Sequence, residues 1–213
     1  MIPTLLLATL VAASPADPVM ERLQAVYDRT ADLHADFTQV YTFKVNGLRR
    51  KSSGSVWIKK PGKMRWDYAK PHAKYFVSDG STLWVYQPAE GQVFIEPLGQ
   101  SQAASALSFL LGHGRLTETF EAKLLPPGKG GEPRLELVPI RHAGHFRKVT
   151  LTLDADTYRV VSTEVEDPVG NLNRITLSSV QVNKGLPDKG FTFTPPAGVR
   201  VIRSARPEGS GKP

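Results

Sequence analysis

The chain of 213 residues contains no cysteine. That excludes a disulfide framework, a thiolate zinc site, a cysteine nucleophile and a lipid-bearing N-terminal cysteine. Catalytic patterns are missing too. His34, His72, His113, His142 and His145 are scattered, with no His-Glu-x-x-His spacing. His142 and His145 fall in Arg141-His142-Ala143-Gly144-His145, which reads as a solvated loop. Asp154 and Asp156 lack the glycine and closing glutamate of a calcium loop and read as a hairpin turn. Gly128-Lys129-Gly130-Gly131 lacks the rest of a phosphate-binding loop, and there is no Gly-x-Ser-x-Gly elbow. We read the chain as a non-enzyme without metal or cofactor.

Long apolar runs are also scarce. Met1–Ala13 is nearly all apolar but too short to span a bilayer. Small residues at Val11-Ala12-Ala13 and Ser14-Pro15-Ala16 suit signal-peptide cleavage near 13 or 16. Its first residues carry no lysine or arginine, which points to a start further upstream, and a buried N-terminal strand is the alternative. The net charge of +7 does not gather into a nucleic-acid arm. Its largest runs, Arg49-Arg50-Lys51 and Lys59-Lys60 with Lys63, sit near turns and read as a solvated face. One domain is expected over 17–202, followed by a polar tail over 203–213.

What is present is mostly strand. Asp17-Pro18 opens a helix, capped by Asp17, with Val19, Leu23, Val26 and Tyr27 on one face; it ends near Thr30 to Asp32. The period then changes to two: Leu33, Ala35, Phe37, Gln39, Tyr41, Phe43 and Val45 share one face of a long strand. Asn46-Gly47 predicts a hairpin. Short strands follow at 53–59, 64–68, 74–77, 83–86 and 92–96, then at 120–125, 134–139, 146–153, 158–166 and 172–182. Phe191 and Phe193 suggest a last one. Because no long helix separates these strands, antiparallel pairing is expected and parallel pairing excluded. One helix interrupts them at Gln100 to Leu111. Ala103, Ala106, Leu107, Leu110 and Leu111 are apolar there and nothing is charged.

The expected class is α+β, a curled antiparallel sheet of about eleven strands under two helices. Its concave face would be lined by Phe37, Val56, Met64, Trp66, Tyr68, Tyr75, Trp84 and Phe94, or by their face-mates, with Leu107 and Leu110 above. Either the helices fill that concavity as an ordinary core, or room remains for an apolar ligand.

Several stretches carry a resemblance. Trp57-Ile58-Lys59-Lys60-Pro61-Gly62-Lys63-Met64-Arg65-Trp66 is one, followed by Val77-Ser78-Asp79-Gly80, Leu83-Trp84-Val85-Tyr86-Gln87-Pro88 and Gln92-Val93. Asp167-Pro168-Val169-Gly170-Asn171 and Phe191-Thr192-Phe193-Thr194-Pro195-Pro196-Ala197-Gly198-Val199 continue it. Together, from about Pro18 to Val201, they are similar to the LolA-type outer-membrane lipoprotein carriers of the periplasm. The resemblance implies an unclosed β-barrel with a helical lid, acting as a monomer and holding lipoprotein acyl chains. It implies an inner-membrane ABC transporter as donor and, in some lineages, an outer-membrane receptor. Other amphiphiles such as glycolipids, carried or sensed, are the alternative, as is a module plugged by its own lid. The basic runs would then face anionic lipid or an acidic transporter surface, if not solvent alone. Lys60 stands where the family has a lid-latching arginine, and Met64 where an aromatic is usual. Lysine keeps the charge but loses the planar fork of donors. The expected latch joins Lys60 to carbonyls near Gly112 to Gly114.

Overall fold

The computed structural model describes residues 14–100, 115–141 and 146–203. The helix expected at Gln100–Leu111 lies, past its first residue, outside the described residues. So do the expected signal peptide up to Ala13, and His113, His142 and His145.

Helix α1 spans Asp17–Arg29, with Pro18 in its first turn, where a missing N–H costs nothing. Asp17 is not its cap. Ala16 precedes the helix, and the Asp17 carboxylate instead accepts the Ser14 N–H at 2.8 Å.

Twelve strands follow among the described residues. They are β1 (Asp32–Thr42), β2 (Arg49–Lys59), β3 (Lys63–Lys70), β4 (Lys74–Asp79), β5 (Thr82–Gln87) and β6 (Gln92–Pro97). After a one-turn helix α2 (Leu116–Thr119) come β7 (Phe120–Leu125), β8 (Arg134–Pro139), β9 (Lys148–Leu153), β10 (Val160–Glu166), β11 (Leu172–Val182) and β12 (Arg200–Arg203). All join one sheet in the order β12-β6-β5-β4-β3-β2-β1-β11-β10-β9-β8-β7. Its ends, β12 and β7, do not pair, so the curved sheet stays open.

Two expectations fail at the C-terminal end. Phe191 and Phe193 are not in a strand. Pro187 and Gly190 favour a tight 3-10 turn at Asp188–Phe191, and Phe191 is buried there. The last strand is β12, and it pairs with β6 in parallel, Arg200 opposite Gln92. A parallel pair requires a long connection, not a helix; the whole second half of the meander supplies it.

Strand β1 sits at the middle of the order and pairs along its length with β2 and with β11. Phe37 lies opposite Gly54 on β2, and Gly54 opposite Tyr68 on β3. With no side chain between them, the Phe37 and Tyr68 rings meet edge to face, centroids 4.8 Å apart. Ala35, Val56 and Trp66 form the next rung, and Leu33, Ile58 and Met64 the one after. These side chains share the inner, concave face with Ile175 and Leu177 of β11.

Two clusters divide that face. One, on β7 to β10, is filled by α1: Met20 and Leu23 pack on Leu135, Leu137, Val149 and Leu151. The other, on β1 to β5, holds Phe37, Val56, Met64, Trp66 and Leu83.

The backbones of β2 and β3 approach closely at Gly54. A Cβ there would lie 1.9 Å from the Asp67 carbonyl oxygen. Gly54→Ala is therefore expected to destabilise the fold by about 3 kcal/mol, the upper end for overpacking. The measurement is the chemical-denaturation midpoint; an unchanged midpoint would show that β2 and β3 can part without cost.

Candidate functional site

The site begins where α1 stops. Thr30 breaks the helix, its N–H donating to the Tyr27 carbonyl at 3.0 Å. The chain turns at Ala31 into β1. Ala31 O accepts the Lys60 N–H at 2.9 Å, which brings the β2–β3 turn beneath the helix end. The Lys60 ammonium donates to the Tyr27 carbonyl and lies 3.5 Å from the centre of the Tyr27 ring. A cation at a helix C-terminus meets the negative end of the dipole, and the ring face adds attraction. Burial pushes Lys60 below the ordinary lysine range, while Asp28 pulls it up.

Asp32 secures the same corner. It is buried, and its carboxylate accepts the N–H groups of Lys184, Gly185 and Leu186 at 2.8, 2.8 and 3.3 Å. Three backbone donors replace the water that a buried carboxylate loses. No local pattern betrays this role, because the partners lie some 150 residues away.

Between α1 and the sheet a cavity of about 60 Å³ remains, walled by Leu23, Val26, Leu33, Ile58, Leu177 and Val180. Lys60 and Arg159 also line it. A single water needs roughly 10–15 Å³, so the space suffices for several, yet nearly all its walls are apolar. Such a gap suits hydrocarbon better than water. It lies on the seam between the two clusters: Leu23 belongs to one, Ile58 to the other.

The structure brings together five of the residues expected to line a ligand cavity. Phe37, Val56, Met64 and Trp66 are buried on the inner face and Tyr68 adjoins them; the Phe37 and Trp66 rings are 4.9 Å apart. Tyr75 and Trp84 are not with them. Tyr75 pairs with Asp67, and Trp84 with Val77 and thus with Arg65, which places both on the outer face. Their neighbours Phe76 and Val85 take the inner positions. Sequence reasoning missed the seam residues Ile58, Leu177 and Val180; alternation along β2 and β11 was the available signal. Leu107 and Leu110 lie outside the described residues, as do Gly112 to Gly114.

Trp66 carries a further feature. Its Nε1 is buried with no hydrogen-bond partner among the described residues, at 4 % residue exposure. Leaving such a donor unmet costs about 1–3 kcal/mol.

The other sequence candidates have structural roles. Asp154 Oδ1 accepts the Thr157 N–H and hydroxyl at 2.7 and 2.6 Å inside a hairpin turn. His34 stacks on Trp57, centroids 4.9 Å apart. Among the described residues no group of three or more His, Asp or Glu side chains could hold a metal ion. Among them, too, no helix is long and apolar enough to cross a membrane.

Both the sequence and the open sheet match known proteins. The family model described as outer membrane lipoprotein carrier protein LolA matches residues 28–194. The chain belongs to the LolA family. An outer-membrane lipoprotein carrier protein of Methylococcus capsulatus is 35 % identical over 184 residues, covering 85 % of this chain and 86 % of the relative. The counterpart from Chromobacterium violaceum is 33 % identical over 203 residues, covering 93 % and 96 %. In fold, a conserved protein from Thermus thermophilus aligns with a TM-score of 0.57 at 13 % identity, covering 89 % of this chain and 99 % of the other. The LolA family is one of carriers, which agrees with a site built from apolar walls.

Burial raises the Tyr68 phenol from 10.0 to about 12, with a hydrogen bond to Gln39 working against the shift. The folded state therefore holds the Tyr68 proton longer than the unfolded chain. The stability this contributes is complete below pH 10 and is lost as pH rises through 12. Tyr68→Phe should flatten the fall in stability over that window, by on the order of 2 kcal/mol. Denaturation midpoints measured from neutral to alkaline pH test this; parallel curves would place the phenol in water.

Proposed function

We propose that this LolA-family protein is a periplasmic carrier. It takes lipoprotein acyl chains into its concave face and moves them from the inner to the outer membrane. The donor is an inner-membrane ABC transporter, and the acceptor is an outer-membrane receptor where the host has one. The observation that carries the reading is the apolar gap between α1 and the sheet, held shut at its end by Lys60. Among the described residues α1 packs on the β7–β10 half of the face, and the seam at its edge would open to hydrocarbon once the helix shifts. The unmet Trp66 N–H supports this, since an ester or amide carbonyl of the cargo would satisfy it.

The N-terminal segment fits the same reading. Ala16 is 1 % exposed and belongs to the core under α1. Signal-peptide cleavage after Ala13 keeps that contact, whereas cleavage after Ala16 would remove it.

Two variants test the proposal. Val180→Phe fills the seam; binding of a triacylated peptide, followed by native mass spectrometry, should fall at least tenfold while the fold survives. Full binding by that variant would contradict the seam as the acyl site. Lys60→Leu removes the ammonium held by Tyr27. Loading should become easier and release to acceptor membranes slower, and unchanged loading and release would remove Lys60 from the latch.

A further inference from the structure

The two basic runs of the sequence have different fates. Lys59 and Lys63 pair with Asp188 at 2.6 and 2.8 Å, and together they hold its carboxyl at about 2. Lys60 holds α1. That run is used up inside the molecule. Arg49, Arg50 and Lys51 are exposed, and none pairs with a carboxylate among the described residues. Arg50 lies over the Phe43 ring, 5.1 Å from its centre.

These cations flank the tip of the β1–β2 hairpin, residues 43–48. The tip projects. β1 and β2 pair out to Thr42 and Arg49, but β3 reaches β2 only at Ser53, so among the described strands the outer part of β2 pairs with β1 alone. The β10–β11 tip, residues 167–171, stands beside it. Thr42 pairs with Leu172, and the Lys44 N–H donates to Asn171 Oδ1 at 3.1 Å. The two tips form one end of the molecule.

Their summits are apolar. Val45 is 90 % exposed, Val169 71 % and Leu48 52 %. Single exposed aliphatic residues are ordinary, but three on adjoining tips, ringed by Lys44, Arg49, Arg50 and Lys51, are not. The acids nearby offset only part of the charge: Asp167, held ionised by the Val169 and Asn171 N–H groups and the Tyr41 hydroxyl, sets one carboxylate against four cations, and Glu166 pairs with Arg147 at 3.3 Å.

We propose that these tips dock the protein on an anionic lipid bilayer. Val45, Leu48 and Val169 enter the headgroup layer, and the four cations meet lipid phosphates. A membrane suits this end better than a protein does. Each tip is a turn of five or six residues with no aromatic anchor at its summit, whereas a stable protein contact needs roughly 800 Å² from each partner. The inference is independent of what the seam carries.

The test is vesicle flotation of the mature chain without cargo. Vesicles are either phosphatidylcholine alone or phosphatidylcholine mixed with phosphatidylglycerol. Binding is expected to the mixed vesicles only, and to decline with salt. Arg49→Gln and Arg50→Gln should each weaken it about fivefold. Val45→Ser combined with Leu48→Ser and Val169→Ser should abolish it while thermal unfolding stays unchanged. As a second readout, Val45→Trp should shift its emission to the blue when mixed vesicles are added. Failure of the wild type to float with mixed vesicles at low salt overturns the proposal and returns the tips to a protein partner. Equal binding by the triple serine variant overturns it too, as does an unmoved Val45→Trp emission.

Discussion

Among the described residues, α1 covers only the β7–β10 half of this sheet's concave face. Everything else follows from that mismatch. A strand presents every second side chain to the face, and β1, at the centre of the order, presents Leu33, Ala35 and Phe37 to neighbours on both sides. Met20 and Leu23 of α1 satisfy the β7–β10 half. The β1–β5 half is richer in rings: Phe37, Trp66, Tyr68 and Phe76 crowd around the bare backbone of Gly54. Where the two halves meet, the helix and sheet do not close, and the seam remains.

The Lys60 bond to α1 is weak enough to serve the proposed carrier role. A hydrogen bond to a charged group contributes about 1.5–3 kcal/mol. Burying one methylene contributes about 0.8 kcal/mol. Two to four methylenes therefore offset the latch, a small part of one acyl chain. Lysine supports this balance better than arginine would, because a single ammonium lacks the bidentate grip of a guanidinium. Burial lowers the Lys60 pKa, so the desolvation of its ammonium offsets part of what the bond contributes. In the proposed cycle the same numbers would let cargo leave: once an acceptor takes the chain, a bond of this size suffices to draw α1 back.

Much of this architecture was legible in the sequence. The period-two faces of β1 and β3 placed Phe37, Met64, Trp66 and Tyr68 together, and Asn46-Gly47 marked the hairpin now seen between Thr42 and Arg49. The alternation did not carry past the β3–β4 turn. There the register depends on how many residues the turn consumes, and Asp67 opposite Tyr75 sends Tyr75 and Trp84 outward. Outside, Phe193 covers Tyr86, their rings 5.5 Å apart, so aromatic residues on both faces find partners. Phe191 and Phe193 alternate like a strand, yet Pro187, Pro195 and Pro196 deny the segment a ladder. Asp32 and the parallel β12 depend on partners far along the chain, which no local pattern records.

The most direct measurement is the position of a hydrocarbon tail in a crystal. The protein would be crystallised with a single-chain amphiphile brominated at its tail end, and the bromine located by anomalous scattering. The expected result is a peak on the inner face, within about 4.5 Å of Ile58, Leu177 or Val180, with α1 displaced from the sheet. A bromine on the outer face, or an unchanged seam in crystals shown to contain the amphiphile, would contradict the account.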